Sequence, residues 1–177
     1  MEAPDEALML AYRGGDAGAF ETLYARHRSR LYRFVLRSVK SRATGEELFQ
    51  EIWMRVIEAR ARYTPQARFT TWLYTIAHNH LVDHWRKRGL TLVALEGDEI
   101  AGNSPDPADH AAARQALSRF AAALEVLPAL QREAFLLHEE SGLSIKEIAA
   151  ATGSNEEAAK SRLRYAMAKL KAAVDDG

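Results

Sequence analysis

The segment GLTLVALEGDEIAGNSPDPADH, residues 89–110, constrains the fold more than any other feature of the sequence. It is rich in Gly, Pro, Asp and Asn, contains Pro105 and Pro107, and has no sustained apolar period, whereas the chain on both sides of it has helical periodicity. A connector of roughly 20 residues without periodicity is rare inside one compact domain and natural between two. The expected organisation is therefore all-α: two small helical domains, residues 1–88 and 111–177, on a flexible linker at 89–110.

In the first domain, residues 17–40 place Phe20, Leu23, Tyr24, Leu31, Phe34 and Val35 near helical spacing, with arginines between them. Thr44 and Glu47 fit a capping box, and a helix should follow to about Ala59. Pro65 breaks the pattern. A further helix is predicted from about Thr70 to Arg88, closed by Gly89 after three basic residues, as a helix C-terminus prefers. Beyond the linker, Ala108–Val126 is an Ala-rich helical stretch, and Pro128 suits the first turn of a helix running to about Glu140. Two more capping boxes, Ser144 with Glu147 and Ser154 with Glu157, open helices separated by Gly153.

Hydrophobic residues at 47% and charged residues at 27% suit a globular chain. The absence of cysteine excludes disulfides, thiolate zinc sites and thiol nucleophiles. The N-terminus is acidic where a secretory signal is basic, and no apolar run approaches the roughly 18 residues of a membrane span, so a cytoplasmic protein is expected. Net charge is zero but unevenly spread: residues 1–88 carry 15 Lys/Arg against 10 Asp/Glu, residues 89–116 one against five, and residues 117–177 eight against nine. So little excess positive charge predicts weak non-specific binding to nucleic acid, and any DNA contact should need a partner's help.

Three segments carry candidate chemistry. Residues 144–173 have the pattern of a short helix, a tight turn at Gly153 and a longer helix, the arrangement that lays a second helix in a major groove. On that second helix Ala159, Leu163, Ala166, Met167 and Leu170 share the inward face. Glu157, Ala158, Ser161, Arg164 and Tyr165 lie opposite, flanked by Lys160 and Arg162. The outward set suits base edges and phosphates, but a helical hairpin with a solvated charged face fits the same periodicity.

The helix FTTWLYTIAHNHLVDHWRKR at 69–88 places Trp72, Thr75, Asn79, Asp83 and Arg86 along one face and ends in Arg86, Lys87 and Arg88. Aromatics interleaved with amide and basic groups suit unstacked bases and phosphates, and an Asn can both donate to and accept from a flipped base. Equally, Trp72 and Trp85 could be core residues. In EELFQEIWMRVIEA, Leu48 or Phe49, Ile52, Trp53, Val56 and Ile57 form the apolar side, leaving Glu47, Gln50, Glu51, Met54 and Glu58 outside as a solvated surface or a docking face. His80 and His84 stand at (i, i+4), but no HExxH motif is present and His78 points away from them, so no metal or other cofactor is expected. No activated nucleophile or phosphate-cradling glycine loop can be placed, and no enzyme is expected.

At these residues the chain resembles the sigma-70 family of RNA polymerase sigma factors, specifically the short two-domain extracytoplasmic-function (ECF) group. EELFQEIWMRV looks like the acidic helix of region two, FTTWLYTIAHNHLVDHWRKR like the adjoining promoter-melting helix, and residues 127–173 like region four. The resemblance implies core polymerase contacts at Glu47, Leu48, Gln50, Glu51 and Met54, made with the clamp helices of the largest subunit. It also implies a minus-ten DNA set of Trp72, Asn79, Asp83, Arg86, Lys87 and Arg88. Asn79 would receive a flipped base in a pocket lined by the loop Arg62–Arg68. A minus-thirty-five set of Glu157, Ala158, Lys160, Ser161, Arg162, Arg164 and Tyr165 follows in the second domain, which would meet the flap of the second-largest subunit. The implied partners are core RNA polymerase, promoter DNA and an anti-sigma factor clamped between the two domains, with membrane contact only through that factor. Two departures stand out: Thr44 replaces the family's usual aspartate, and Asn155-Glu-Glu-Ala-Ala replaces the commoner Gly-Thr-Val. The group lacks region three and the N-terminal inhibitory segment of housekeeping sigma factors, and neither is evident here.

Overall fold

The computed structural model describes residues 2–89 and 112–175, so the expected linker lies, apart from Gly89, outside the described residues. Every regular element among the described residues is a helix: α1 (Asp5–Arg13), α2 (Ala17–Ser38), α3 (Arg42–Ala59), a 3₁₀ turn (Arg60–Arg62), α4 (Phe69–Lys87), α5 (Ala112–Val126), α6 (Ala129–Glu139), α7 (Ile145–Ala151) and α8 (Glu156–Asp175). No helix among them is long and apolar enough to cross a membrane.

Helix α1 was not foreseen. Nine residues form a marginal helix alone; tertiary bonds hold this one. Met9 is fully buried, Asp5 accepts from Arg26 and His27 at 3.0 and 2.8 Å, and Glu6 Oε1 accepts from the backbone N–H of Phe69 at 2.9 Å. That last bond caps α4 from 63 residues away, where the side chain of its own N-cap residue, Arg68, makes no capping bond. Two long apolar faces complete the first bundle. Leu23, Leu31, Phe34 and Val35 of α2 meet Ile52 and Val56 of α3 and Leu73 and Leu81 of α4, each 1% exposed or less.

Two of the expected caps move. The α3 helix begins before Thr44, with the Ser41 hydroxyl accepting from the Thr44 N–H. Val39 is extended and turns the chain there, and Gly45 is then buried where α3 crosses α2, with room for no side chain beside Leu36. At α8 the cap is Asn155, whose Oδ1 accepts from the Ala158 N–H at 2.7 Å, because the Ser154 hydroxyl is taken by Thr152 at 2.9 Å. The Ser144–Glu147 box forms as expected, both halves present. Pro128 stands at the N-cap of α6, one residue before the first turn. Gly89 and Gly153 both adopt positive φ, +81° and +62°, ending α4 and α7 as their positions predict.

In the second bundle α5, α6 and α7 pack on α8 around Leu130, Leu136, Leu137, Ile148, Ala159, Ala166 and Leu170. The two bundles also pack on each other, α4 against α7 and α2 against α6. The expected space for a partner between the domains is filled by their own side chains. His78 meets Glu133, Arg132 Nη2 donates to the Ser38 carbonyl at 3.0 Å, and Glu140 pairs with Arg33 and Arg37.

Candidate nucleic-acid interface

Helix α4 divides its side chains between core and surface. Tyr74 and Trp85, 2% and 4% exposed, belong to the core, so of the two readings open for Trp85 the core one holds. Trp72 is half-buried, its ring edge-on to Tyr63 at 5.1 Å and tilted against Phe69 at 5.9 Å. Tyr63 is fully buried, and Arg13 Nη1 donates to its carbonyl at 2.8 Å, so the loop 62–68 is pinned to the start of α4 while its remaining side chains stay exposed. Asn79 is exposed seven residues beyond Trp72 on the same face, about 10 Å along the helix. Asp83 follows, exposed and 3.7 Å from Arg55 of α3. Arg86, Lys87 and Arg88 are exposed at the helix end. The surface thus runs from a wedged aromatic, through an unencumbered amide, to three cations, an order that serves a base at one end and phosphates at the other.

The acidic face of α3 adjoins it. Glu47, Gln50 and Met54 are exposed and Glu51 is half-exposed. Leu48, 5% exposed, is a core residue whose contribution to any surface is slight; position 48 falls on the side of α3 that packs inward with Ile52. A groove of about 230 Å³ between α3 and α4 is lined on one side by Glu47 and Glu51 and on the other by Asp83, Lys87 and Arg88. Polymerase and DNA candidates therefore share one cleft. His80 Nε2 meets the Glu51 carboxylate across it. Burial, and then the charges of Arg88 and His80, hold His84 below the ordinary imidazole range, so it is neutral near pH 7. His78 turns the other way, its Nδ1 2.8 Å from Glu133. Among the described residues no cluster of three His, Asp or Glu has the geometry to hold a metal.

On α8, Glu157, Lys160, Arg164 and Tyr165 are exposed, and Ala158, Ser161 and Arg162 are half-buried at the edges. The Arg164 guanidinium lies 5.4 Å from the Tyr165 ring centre, which holds the two as one plane-and-cation unit. Ala159, Ala166 and Leu170 are buried as expected and Leu163 partly so, but Met167 is 46% exposed. Two residues Met167 was grouped with, Ala166 and Leu170, already fill the short distance to α6.

Sequence patterning missed the residues that face the second domain: Thr71, Tyr74 and His78 of α4 and Arg33 and Arg37 of α2. The one sign was a surplus of α2 arginines, which solvation explains equally well.

Comparison with known proteins gives concordant results. The family description "Sigma-70 region 2" matches residues 23–91, and "Sigma-70, region 4" matches residues 117–170. The chain is 37% identical to the RNA polymerase sigma factor CarQ of Myxococcus xanthus, over 92% of this chain and 93% of that one. It is 34% identical to the ECF RNA polymerase sigma factor SigF of Caulobacter vibrioides, over 93% and 90%. Among solved structures, CnrH in complex with the cytosolic domain of CnrY is similar with a TM-score of 0.72 at 26% identity, covering 97% of both chains. The sigma factor RpoE in complex with the anti-sigma factor NepR from Bartonella quintana is similar with a TM-score of 0.69 at 27% identity, over 88% of this chain and 96% of that one.

Proposed function

The chain belongs to the sigma-70 family of RNA polymerase sigma factors, in its ECF group, and from that premise we propose how its surfaces divide the work of transcription initiation. Residues 1–88 and 111–177 act as two reading modules joined through 89–110. The exposed acidic face of α3, with Glu47, Gln50, Glu51 and Met54, docks on the clamp helices of core polymerase, and Leu48 supports that face from beneath. Trp72, Asn79 and the loop 62–68 capture a flipped minus-ten base, while Arg86, Lys87 and Arg88 hold backbone phosphates. Glu157, Lys160, Ser161, Arg162, Arg164 and Tyr165 enter the major groove at the minus-thirty-five element, with Ala158 at the rim of the contact. Melting then requires no covalent chemistry: base capture shifts the duplex toward the open form, and the protein acts without being an enzyme, in the cytoplasm where its polymerase is.

The observation that carries this assignment is the exposure of Asn79 between a wedged tryptophan and a triple cation, on the helix that shares a cleft with the acidic face. Linking the two modules raises the effective concentration of each reading event once the other has occurred. Control by an anti-sigma factor is supported by CnrH and RpoE, each similar to this chain while bound to CnrY or NepR. Run-off transcription with core RNA polymerase and promoter fragments from the source organism tests the assignment. Protein-dependent transcripts with defined start sites are expected; their absence, together with no core complex on gel filtration, would overturn it.

A further inference from the structure

The loop before α4 stands on two buried feet. Tyr63 and Phe69 are both fully buried, with ring centres 6.4 Å apart, while residues 64–68 between them are all exposed. Trp72 packs on both feet, 5.1 Å from Tyr63 and 5.9 Å from Phe69. Within the loop the Gln66 N–H donates to the Thr64 carbonyl at 2.9 Å, and Arg68 lies 3.4 Å from Glu147 across the seam between the bundles. The first bond is local and the second holds one side chain, so neither sets where the feet stand.

Helix α1 ties both feet. Arg13, in its last turn, donates to the Tyr63 carbonyl at 2.8 Å, and Glu6, in its first turn, accepts from the Phe69 N–H at 2.9 Å. Residues 6 and 13 lie two turns apart on one face of α1, about 10 Å along it. Among the described residues the Tyr63 hydroxyl has no hydrogen-bond partner, which leaves the backbone of that foot to be held by Arg13 and by a local bond to the Arg60 carbonyl. Both ties use an ionised side chain, and such bonds are stronger than neutral ones. The clamp is itself anchored: Met9 is buried, Asp5 accepts from Arg26 and His27 of α2, and the Arg60 guanidinium lies 5.6 Å from the Tyr12 ring centre. Capping of α4 accounts for Glu6 alone. Arg13 acts at the other foot, where α4 has not begun.

A loop held only through the chain would have to be ordered when a base enters it, at a cost in conformational entropy. Ties at both ends order it beforehand and leave its middle open to a ligand. We propose that α1 is a clamp for base capture, in which Glu6 and Arg13 are positioning residues that act through Phe69 and Tyr63 to shape the loop 62–68 and so the base it accepts. The consequence rests on the reading of that loop and Asn79 as the pocket for a minus-ten base; the clamp itself does not.

The test uses the full chain with core RNA polymerase on promoter fragments that give run-off transcripts, each minus-ten position being varied through all the bases. The readout is the preference for the best base over the worst, because a merely less stable protein loses transcript from every template alike. Arg13→Ala and Glu6→Ala should each lower that preference about tenfold, since a misplacement near 1 Å is enough for such an effect, with core binding on gel filtration unchanged. Glu6→Gln keeps an acceptor oxygen and should stay within about twofold of the parent. Gly45→Val, whose added side chain meets Leu36 and Val39, strains the same domain without touching α1 and should leave the preference unchanged. Limited trypsin cleavage after Arg62 and Arg68 reads the clamp directly and should accelerate about tenfold in both alanine variants. If Glu6→Ala loses its helical circular dichroism, Arg13→Ala, at an exposed position, decides. Cleavage no faster in the alanine variants, or a preference unchanged in them, would overturn the clamp, as would an equal loss of preference in Gly45→Val. A parent without preference at any minus-ten position, while cleavage still responds to Arg13→Ala, would instead overturn base capture by this loop, and the proposed role of α1 with it.

Discussion

At the residue scale, what separates the proposed reading residues from the supporting ones is exposure rather than residue type. Asn79 projects unpartnered beside a half-buried Trp72, whereas Trp85 of the same helix is 4% exposed. Asn79→Ala should therefore leave core polymerase binding intact and reduce open-complex formation about 10- to 100-fold, corresponding to ~1–3 kcal/mol for removal of a bidentate base pairing; permanganate footprinting of the melted segment measures it. Trp85→Ala should instead cost ~3–5 kcal/mol of folding stability in a denaturant titration. Titration adds a further residue-level expectation. Burial, with Arg88 and His80, keeps the folded His84 below its unfolded value, so the unfolded chain binds the extra proton first. The stabilisation from His84 is thus fully present above about pH 6.5 and declines as pH falls below it. Thermal melts of the parent and of His84→Phe should diverge on acidification, the parent losing more.

At the element scale, helices were legible because their signals are local. The Ser144–Glu147 box and the two positive-φ glycines lie where a reading of four or five residues puts them. Boundaries failed where two hydroxyls competed for one cap. Ser41 prevails over Thr44 because Gly45 must already be helical to pass Leu36, where an added Cβ would approach to 2.6 Å of the side chain and 3.3 Å of its Cα. A branched side chain cannot be accommodated there, and Gly45→Val should destabilise the first domain by ~1–3 kcal/mol, measured by chemical denaturation. Helix α4 presents the opposite case, with its terminal N–H satisfied by Glu6 of α1. Glu6→Ala should cost ~1 kcal/mol, the usual value of a cap, and speed amide exchange at Phe69.

At the scale of the whole molecule, zero net charge conceals a basic first half, and three exposed cations, Arg86, Lys87 and Arg88, follow one another at the end of α4. Replacing both Lys87 and Arg88 by Ala should flatten the log–log salt dependence of holoenzyme binding to promoter DNA by about two, near 0.9 for each phosphate no longer neutralised. The two proposed reading faces lie on different domains and share no side-chain partner. Asn79→Ala and Arg164→Ala should therefore add in free energy within ~0.5 kcal/mol in a double-mutant cycle on transcription. A larger coupling would mean that the domains read the promoter as one rigid body.

Local pattern along the chain was enough to establish that it is helical, that it forms two domains, and which polar faces of α3, α4 and α8 stay exposed. Each of these follows from the 3.6-residue period and from turn residues, properties of neighbours along the chain. Only the folded molecule decides that Leu48, Tyr74 and Trp85 are core, that α1 exists, and that His78 faces Glu133 across the seam, 55 residues away. An amphipathic period shows which side of a helix is apolar. What that side packs against, and which polar residue at its edge is buried with a partner, depends on contacts between segments distant in sequence, and those are fixed only when the chain closes on itself.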